Sequence, residues 1–165
     1  MDDGSKSDAT EAAAVSSPSG MERRLVLRLL AYWRDLCGDR TYPSFDQVDP
    51  LEIPEIWDNC FVLDLQGHED DAVIRAIGER LAETSPVDLV NLRLSELPQD
   101  TLIEQATGYV REVVRKRVPI SRGGEFTKYD GTTVLFRSVI LPMSDDGETL
   151  CGLLGAANCR EVGDE

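Results

Sequence analysis

The sequence predicts an α+β fold: a five-stranded antiparallel sheet with helices inserted between strands two and three, plus an N-terminal amphipathic helix. Three observations predict it. Two apolar, β-prone runs, Thr133–Leu141 and Leu150–Ala157, flank Ser144-Asp145-Asp146-Gly147. Asp-Gly between such runs is the strongest short-range hairpin signal, because glycine takes φ > 0 without steric cost. Helical periodicity runs over Thr101–Arg117, bracketed by Pro98 and Pro119. A second helical stripe, over Met21–Leu36, stands ahead of every strand signal.

Met1–Gly20 is rich in Asp, Ser and Ala and closes on Ser-Ser-Pro-Ser-Gly. It buries too little apolar surface to offset its ordering entropy and is expected to be a disordered leader. In Met21–Leu36, Leu25, Val26, Leu29, Leu30, Trp33 and Leu36 recur at three- and four-residue steps, with arginines mostly elsewhere on the wheel, and Gly38 supplies a C′ stop. That stripe either covers its own domain or, through Leu25, Leu29, Trp33 and Leu36, packs on a second copy as a dimerisation helix.

Asp39–Cys60 reads as a linking segment in which Asp49 is an N-cap and Pro50 the first residue of a short helical turn, and Trp57 is expected in the core. Phe61–Leu65 and Ala72–Ile77 are short strands joined by a polar connector. A short helix over Glu79–Thr84 stops at Ser85-Pro86, and Val87–Pro98 reads as a helical connector. Thr101–Arg117 is the clearest helix: Leu102, Ile103, Ala106, Tyr109, Val110, Val113 and Val114 make one face, and Arg115-Lys116-Arg117 sits where cations suit the dipole. A strand over Pro119–Lys128, a Tyr129-Asp130-Gly131 turn and the long hairpin follow, with Pro142 marking the exit of its first strand. One domain over 21–160 is expected, with an acidic tail at 161–165.

Composition excludes several classes of function. The 165 residues carry a net charge of −14, which works against nucleic acid and anionic membrane surfaces. No signal peptide or apolar run of membrane-spanning length is evident, so a cytoplasmic protein with reduced thiols is expected. The cysteines, Cys37, Cys60, Cys151 and Cys159, form no CxxC pair, and His68 is the lone histidine; a structural zinc site needs four ligands at short paired spacings. One turn-located histidine is a poor base for nucleophilic catalysis, and the acidic runs Glu69-Asp70-Asp71 and Asp145-Asp146 fall in solvated turns, where no pocket separates their pKa values. No catalytic residue and no metal ligand is assigned.

From Leu25 to Cys159 the chain resembles a PAS domain, and more narrowly a compact bacterial PAS subfamily of near-solitary domains. The resemblance rests on Leu30-Ala31-Tyr32-Trp33-Arg34, the Val48-Asp49-Pro50 step, Phe61-Val62-Leu63-Asp64, and Val139–Glu148 leading to Leu153-Leu154-Gly155. It implies a sensory or regulatory module that acts in trans by binding a ligand or a protein not identified by the sequence. A small-molecule binding protein and a structural dimer are the alternatives. It also implies a pocket between the long helix and the sheet, for which Tyr109, Val113, Phe136, Ser138, Leu154 and Ala156 are candidates, with Arg137 at the edge of the outer face beside an acid. The helix lacks the histidine that PAS haem proteins use, which argues against haem. Asn158-Cys159-Arg160 spells the flavin-photosensor tripeptide at the wrong end of the fold, which argues against flavin.

Overall fold

The computed structural model describes residues 20–69 and 71–162, so residues 1–19 of the expected leader and residues 163–165 of the expected tail lie outside the described residues, and Gly20 begins a helix. Five strands, β1 (Cys60–Asp64), β2 (Val73–Ile77), β3 (Ile120–Thr127), β4 (Thr133–Met143) and β5 (Gly152–Glu161), form one antiparallel sheet in the order β2-β1-β5-β4-β3. Its helices are α1 (Gly20–Cys37), α2 (Glu79–Ala82), α3 (Leu102–Ala106) and α4 (Val110–Lys116). The hairpin that the Asp-Gly signal predicts is β4–β5, and it places the small-residue strand β5 at the centre of the sheet.

Register assigns the two faces. Ile140 pairs with Gly155 and Gly155 with Phe61, so these three share a face, as do Ser138 and its partner Ala157. Ser138 meets α3 and α4, because its hydroxyl lies 2.8 Å from that of Tyr109 and 3.4 Å from the Ala106 carbonyl. This is the inner face. Val62, Val139, Leu141, Leu154 and Ala156 alternate onto the outer one and are also buried. α1 covers them with Leu25, Leu29 and Trp33, and Trp33 Nε1 donates to the Pro142 carbonyl at 2.8 Å. A sheet covered on both faces explains why residues 138–143 of β4 are buried without interruption.

Several expectations are corrected. The helix predicted over Thr101–Arg117 is broken at Thr107-Gly108-Tyr109. The Thr107 hydroxyl bonds back to the Ile103 carbonyl at 2.8 Å, and the Gly108 N–H shifts to the Gln105 carbonyl, where glycine resists a helix interior by about 1 kcal/mol. β4 runs through Pro142 instead of ending there. β3 stops at Ile120 opposite Ile140, so no strand beyond it needs the N–H that proline lacks. The segment expected as a helical connector instead edges β2: Ile74 N–H bonds Leu92 O, Asn91 N–H bonds Ile74 O and Leu94 N–H bonds Ala72 O, all at 2.8–2.9 Å, with one short turn at Leu94–Glu96. Such cover blunts an open strand edge. Trp57 is half-buried against the core, not inside it. Arg137 lies on an interior strand, on the outer face but not at its edge, and no acid pairs with it among the described residues; its Nε is buried without a partner. Glu161, expected in the tail, ends β5 and pairs with Lys128 at 2.6 Å.

The small residues of β5 are filled by rings. A Cβ on Gly155 would lie 2.3 Å from the Phe61 ring, and one on Gly152 would lie 2.4 Å from the Phe45 ring. Gly155→Ala therefore overpacks the sheet centre and lowers unfolding stability by about 1–3 kcal/mol. In urea denaturation, Phe61→Leu combined with Gly155→Ala should lose less than the sum of the two single changes; strict additivity would show that the ring does not need the missing Cβ.

The β4–β5 loop is held by Asp146, whose carboxylate accepts the Thr149 and Glu148 N–H groups at 2.8 Å and the Ser144 hydroxyl at 3.0 Å. These bonds, the Thr149 one foremost, hold its pKa below the usual aspartate value. A folded-state pKa below the unfolded one gives stability that is present above about pH 4 and lost as pH falls through the lowered value. Wild type should accordingly lose more stability than Asp146→Ala between about pH 5 and pH 2, read from urea midpoints.

Candidate functional site

The six residues expected to line a pocket do not share one. Phe136 and Ser138 lie on the inner face with Tyr109 and Val113 above them, whereas Leu154 and Ala156 lie on the outer face beneath α1. The misplacement follows from strands apolar on both faces, where pattern alone gives no parity. On the inner side, side chains pack the layer between the helices and the sheet. Ile103, Ala106, Val113 and Ile140 are fully buried, Phe126 and Phe136 meet edge to face with centroids 6.0 Å apart, and Phe61 fills the notch at Gly155. Tyr109 crosses this layer to Ser138, with the Arg122 guanidinium 5.3 Å from its ring centroid. Burial raises the Tyr109 phenol well above its ordinary pKa, and the Ser138 bond offsets part of that rise.

The other sequence candidates are dispersed. Leu25, Leu29 and Trp33 are buried in this chain's own core and Leu36 is half-buried, so the stripe considered for dimerisation faces the sheet; among the described residues the large apolar side chain that α1 exposes is Leu27, at 58%. Burial pushes the Cys60 thiol up to about 12, which leaves it protonated and unreactive at neutral pH. Asn158-Cys159-Arg160 lies near the end of β5, and His68 is exposed in the turn after β1. Asp64 pairs with Arg75 at 2.5 Å. Among the described residues no group of three or more His, Cys, Asp or Glu is placed to hold a metal ion, and no helix is long and apolar enough to cross a membrane.

Two surface concavities stand out among the described residues. The first, about 470 Å³, is lined by Asp71, Leu94, Ser95, Glu104, Thr107 and Gly108. Its Asp71 is already satisfied by the Ser95 N–H at 2.9 Å and hydroxyl at 3.1 Å, which hold its carboxyl below the usual range. The second is a groove of about 480 Å³ where the N-terminal half of α1, the turn before β1, α2 and the end of β5 converge. Leu25, Ile56, Leu81 and Leu102 form its apolar floor. Arg24 and Arg28, one turn apart on α1, join Arg80 of α2 and Arg160 of β5, with Glu55, Asn59 and Asn158 beside them. None of the four arginines has an ion pair or hydrogen bond among the described residues. The volume lies in the range of small-molecule sites. Sequence reasoning missed this groove because its cations come from three elements distant in the chain; the one local signal was the i, i+4 spacing of Arg24 and Arg28.

A family model described as PAS domain matches residues 21–158. The chain belongs to the PAS domain family. PAS domains are generally sensory, non-catalytic modules. No curated protein matches this PAS domain. Among solved structures it is similar to the PAS domain of a protein from Colwellia psychrerythraea, at 19% identity and a TM-score of 0.46, covering 71% of this chain and 100% of that one. It is also similar to the PAS domain from Bordetella pertussis BvgS, at 16% identity and a TM-score of 0.43, covering 67% and 84%. The LOV domain of a blue-light activated histidine kinase from Erythrobacter litoralis is similar at 10% identity and a TM-score of 0.46, covering 62% and 95%.

The buried hydroxyl pair of this PAS domain gives a direct check on its interior. Tyr109→Phe should cost about 0.5–1.5 kcal/mol, and a double-mutant cycle with Ser138→Ala should show coupling of about 1 kcal/mol. Zero coupling in thermal or urea unfolding would mean that the two side chains do not meet.

Proposed function

We propose that this PAS domain is a non-catalytic regulatory module that acts in trans by binding, and that it takes its input at the arginine-lined groove. The observation that supports this reading is the contrast between the two sides of the sheet. Under α3 and α4 the interior is occupied by the chain's own side chains. At the groove, four guanidinium groups without a partner among the described residues surround the buried Leu25, Ile56, Leu81 and Leu102 at the base of a concavity that opens to solvent.

The groove is also well placed to pass a signal on. Leu25 belongs both to its floor and to the stripe by which α1 covers the outer face, while Trp33 pins the other half of α1 to Pro142. An occupant therefore acts on the seating of the N-terminal half of α1, and stabilises the seated state by RT ln(1 + [L]/Kd). The polar outer surface of α1, with Leu27 at its middle, is where a second protein would sense that change.

A filled interior carries its own consequence. The purified full chain is expected to show no visible-range absorbance, and native mass spectrometry should return no flavin or haem mass. Amide exchange over residues 20–30 should slow when the groove is occupied, while exchange in β3 stays unchanged. A retained chromophore would overturn the reading, as would protection that spreads along α3 and α4 instead of α1.

A further inference from the structure

We infer that the groove binds an amphipathic organic anion, a carboxylate or phosphate head group carrying a short aliphatic body. This deepens the functional reading above and rests on it.

The head-group assignment comes from charge. In a chain of net charge −14, Arg24, Arg28, Arg80 and Arg160 converge on one groove without partners among the described residues. Like charges gathered in this way repel, and an anion would relieve that repulsion through charge-assisted, planar hydrogen bonds of the kind guanidinium forms best. Arg24 also stands in the first turns of α1, where the helix dipole disfavours a cation. A second observation lies behind the rim. Asn158 and Arg137 are cross-strand partners; the side-chain oxygen of Asn158 and the Nε of Arg137 are both buried with no partner. Asn158 lines the groove; its oxygen can only accept and Arg137 Nε can only donate, so of the two it is the Arg137 donor behind the rim that favours an anion.

The tail assignment comes from the floor. Leu25, Ile56, Leu81 and Leu102 offer aliphatic surface and no aromatic ring, which suits a flexible alkyl chain better than a stacked heterocycle. Glu55 at the rim lowers the net positive charge that the four arginines present.

Calorimetry and thermal shift on the full chain test this with four probes: octanoate and octyl phosphate below their micelle concentrations, inorganic phosphate, and octanol, all at matched ionic strength. Octanoate or octyl phosphate should bind saturably and raise Tm, more than phosphate, while octanol has no effect. Added NaCl should weaken binding. Arg80→Gln with Arg160→Gln, both exposed, should leave apo Tm unchanged or higher and weaken binding about tenfold or more. Equal binding by octanol, unchanged affinity in the arginine variant, or no saturable binding of either amphiphile would overturn the ligand class. Amide exchange separates that failure from failure of the functional reading. Binding without protection of residues 20–30 keeps the ligand and removes the groove's regulatory role.

Discussion

The contact on which the rest of this structure depends is the ring of Phe61 laid over Gly155. β5 is the central strand and is flanked by β1 and β4, so whatever stands on it decides how near the helical layers can come. At Gly155 the absent side chain admits a ring from the neighbouring strand, at Gly152 a second ring enters from Phe45, and beyond Gly155 Ala156 and Ala157 keep the surface low. Small residues on a central strand allow either a void or close packing, and at Gly152 and Gly155 the structure takes close packing. Small residues at the centre of a sheet mean close approach when bulky partners are aimed at them.

That closeness determines the path of the inner layer. α3 and α4 cannot run as one rod and also bring Tyr109 down to Ser138. The break at Thr107-Gly108 lets the chain turn, with Tyr109 at φ −117° and ψ 22° carrying its hydroxyl to the only buried serine of β4's inner face. Once that bond is made, the layer is closed by the fully buried Ile103, Ala106 and Val113. Family membership alone would direct attention to this interior, yet here side chains pack it closely, and the arginine-lined groove opens where several elements meet at their ends.

The strands, their order in the chain and the helix stops were legible because each rests on a local rule. The Asp-Gly hairpin, Gly38 after α1 and the Asp49-Pro50 cap all act within a few residues, and the structure has Asp49 accepting the Leu51 N–H at 3.0 Å. Parity was not legible. β4 and β5 are covered on both faces, so alternation is missing, and a one-residue ambiguity sends every side chain to the opposite face; Leu154 and Ala156 were misassigned for that reason. The break in the inner helix turned on one threonine hydroxyl competing with the backbone, an effect that periodicity does not register. The groove was least visible of all, since residues 24, 28, 80 and 160 become neighbours only after the sheet has ordered.

The arrangement at the groove breaks the local rules that the rest of the chain obeys. α4 ends on Arg115 and Lys116, where cations are favoured, and Glu112 is paired with both Lys116 at 2.7 Å and Arg122 at 2.5 Å. At the start of α1 the opposite holds: Arg23 and Arg24 stand at the positive end of the dipole, with Arg28 one turn further on. A protein with 31 acidic residues has ample means to neutralise four arginines, so their lack of partners among the described residues is not a shortage of carboxylates. Natural sequences depart from local consistency chiefly where function demands it and compensate elsewhere. Here the compensation is the Leu25, Leu29 and Trp33 stripe, which holds α1 on the sheet by burial and the Trp33–Pro142 hydrogen bond and leaves its charged N-terminal half to be seated by whatever anion arrives.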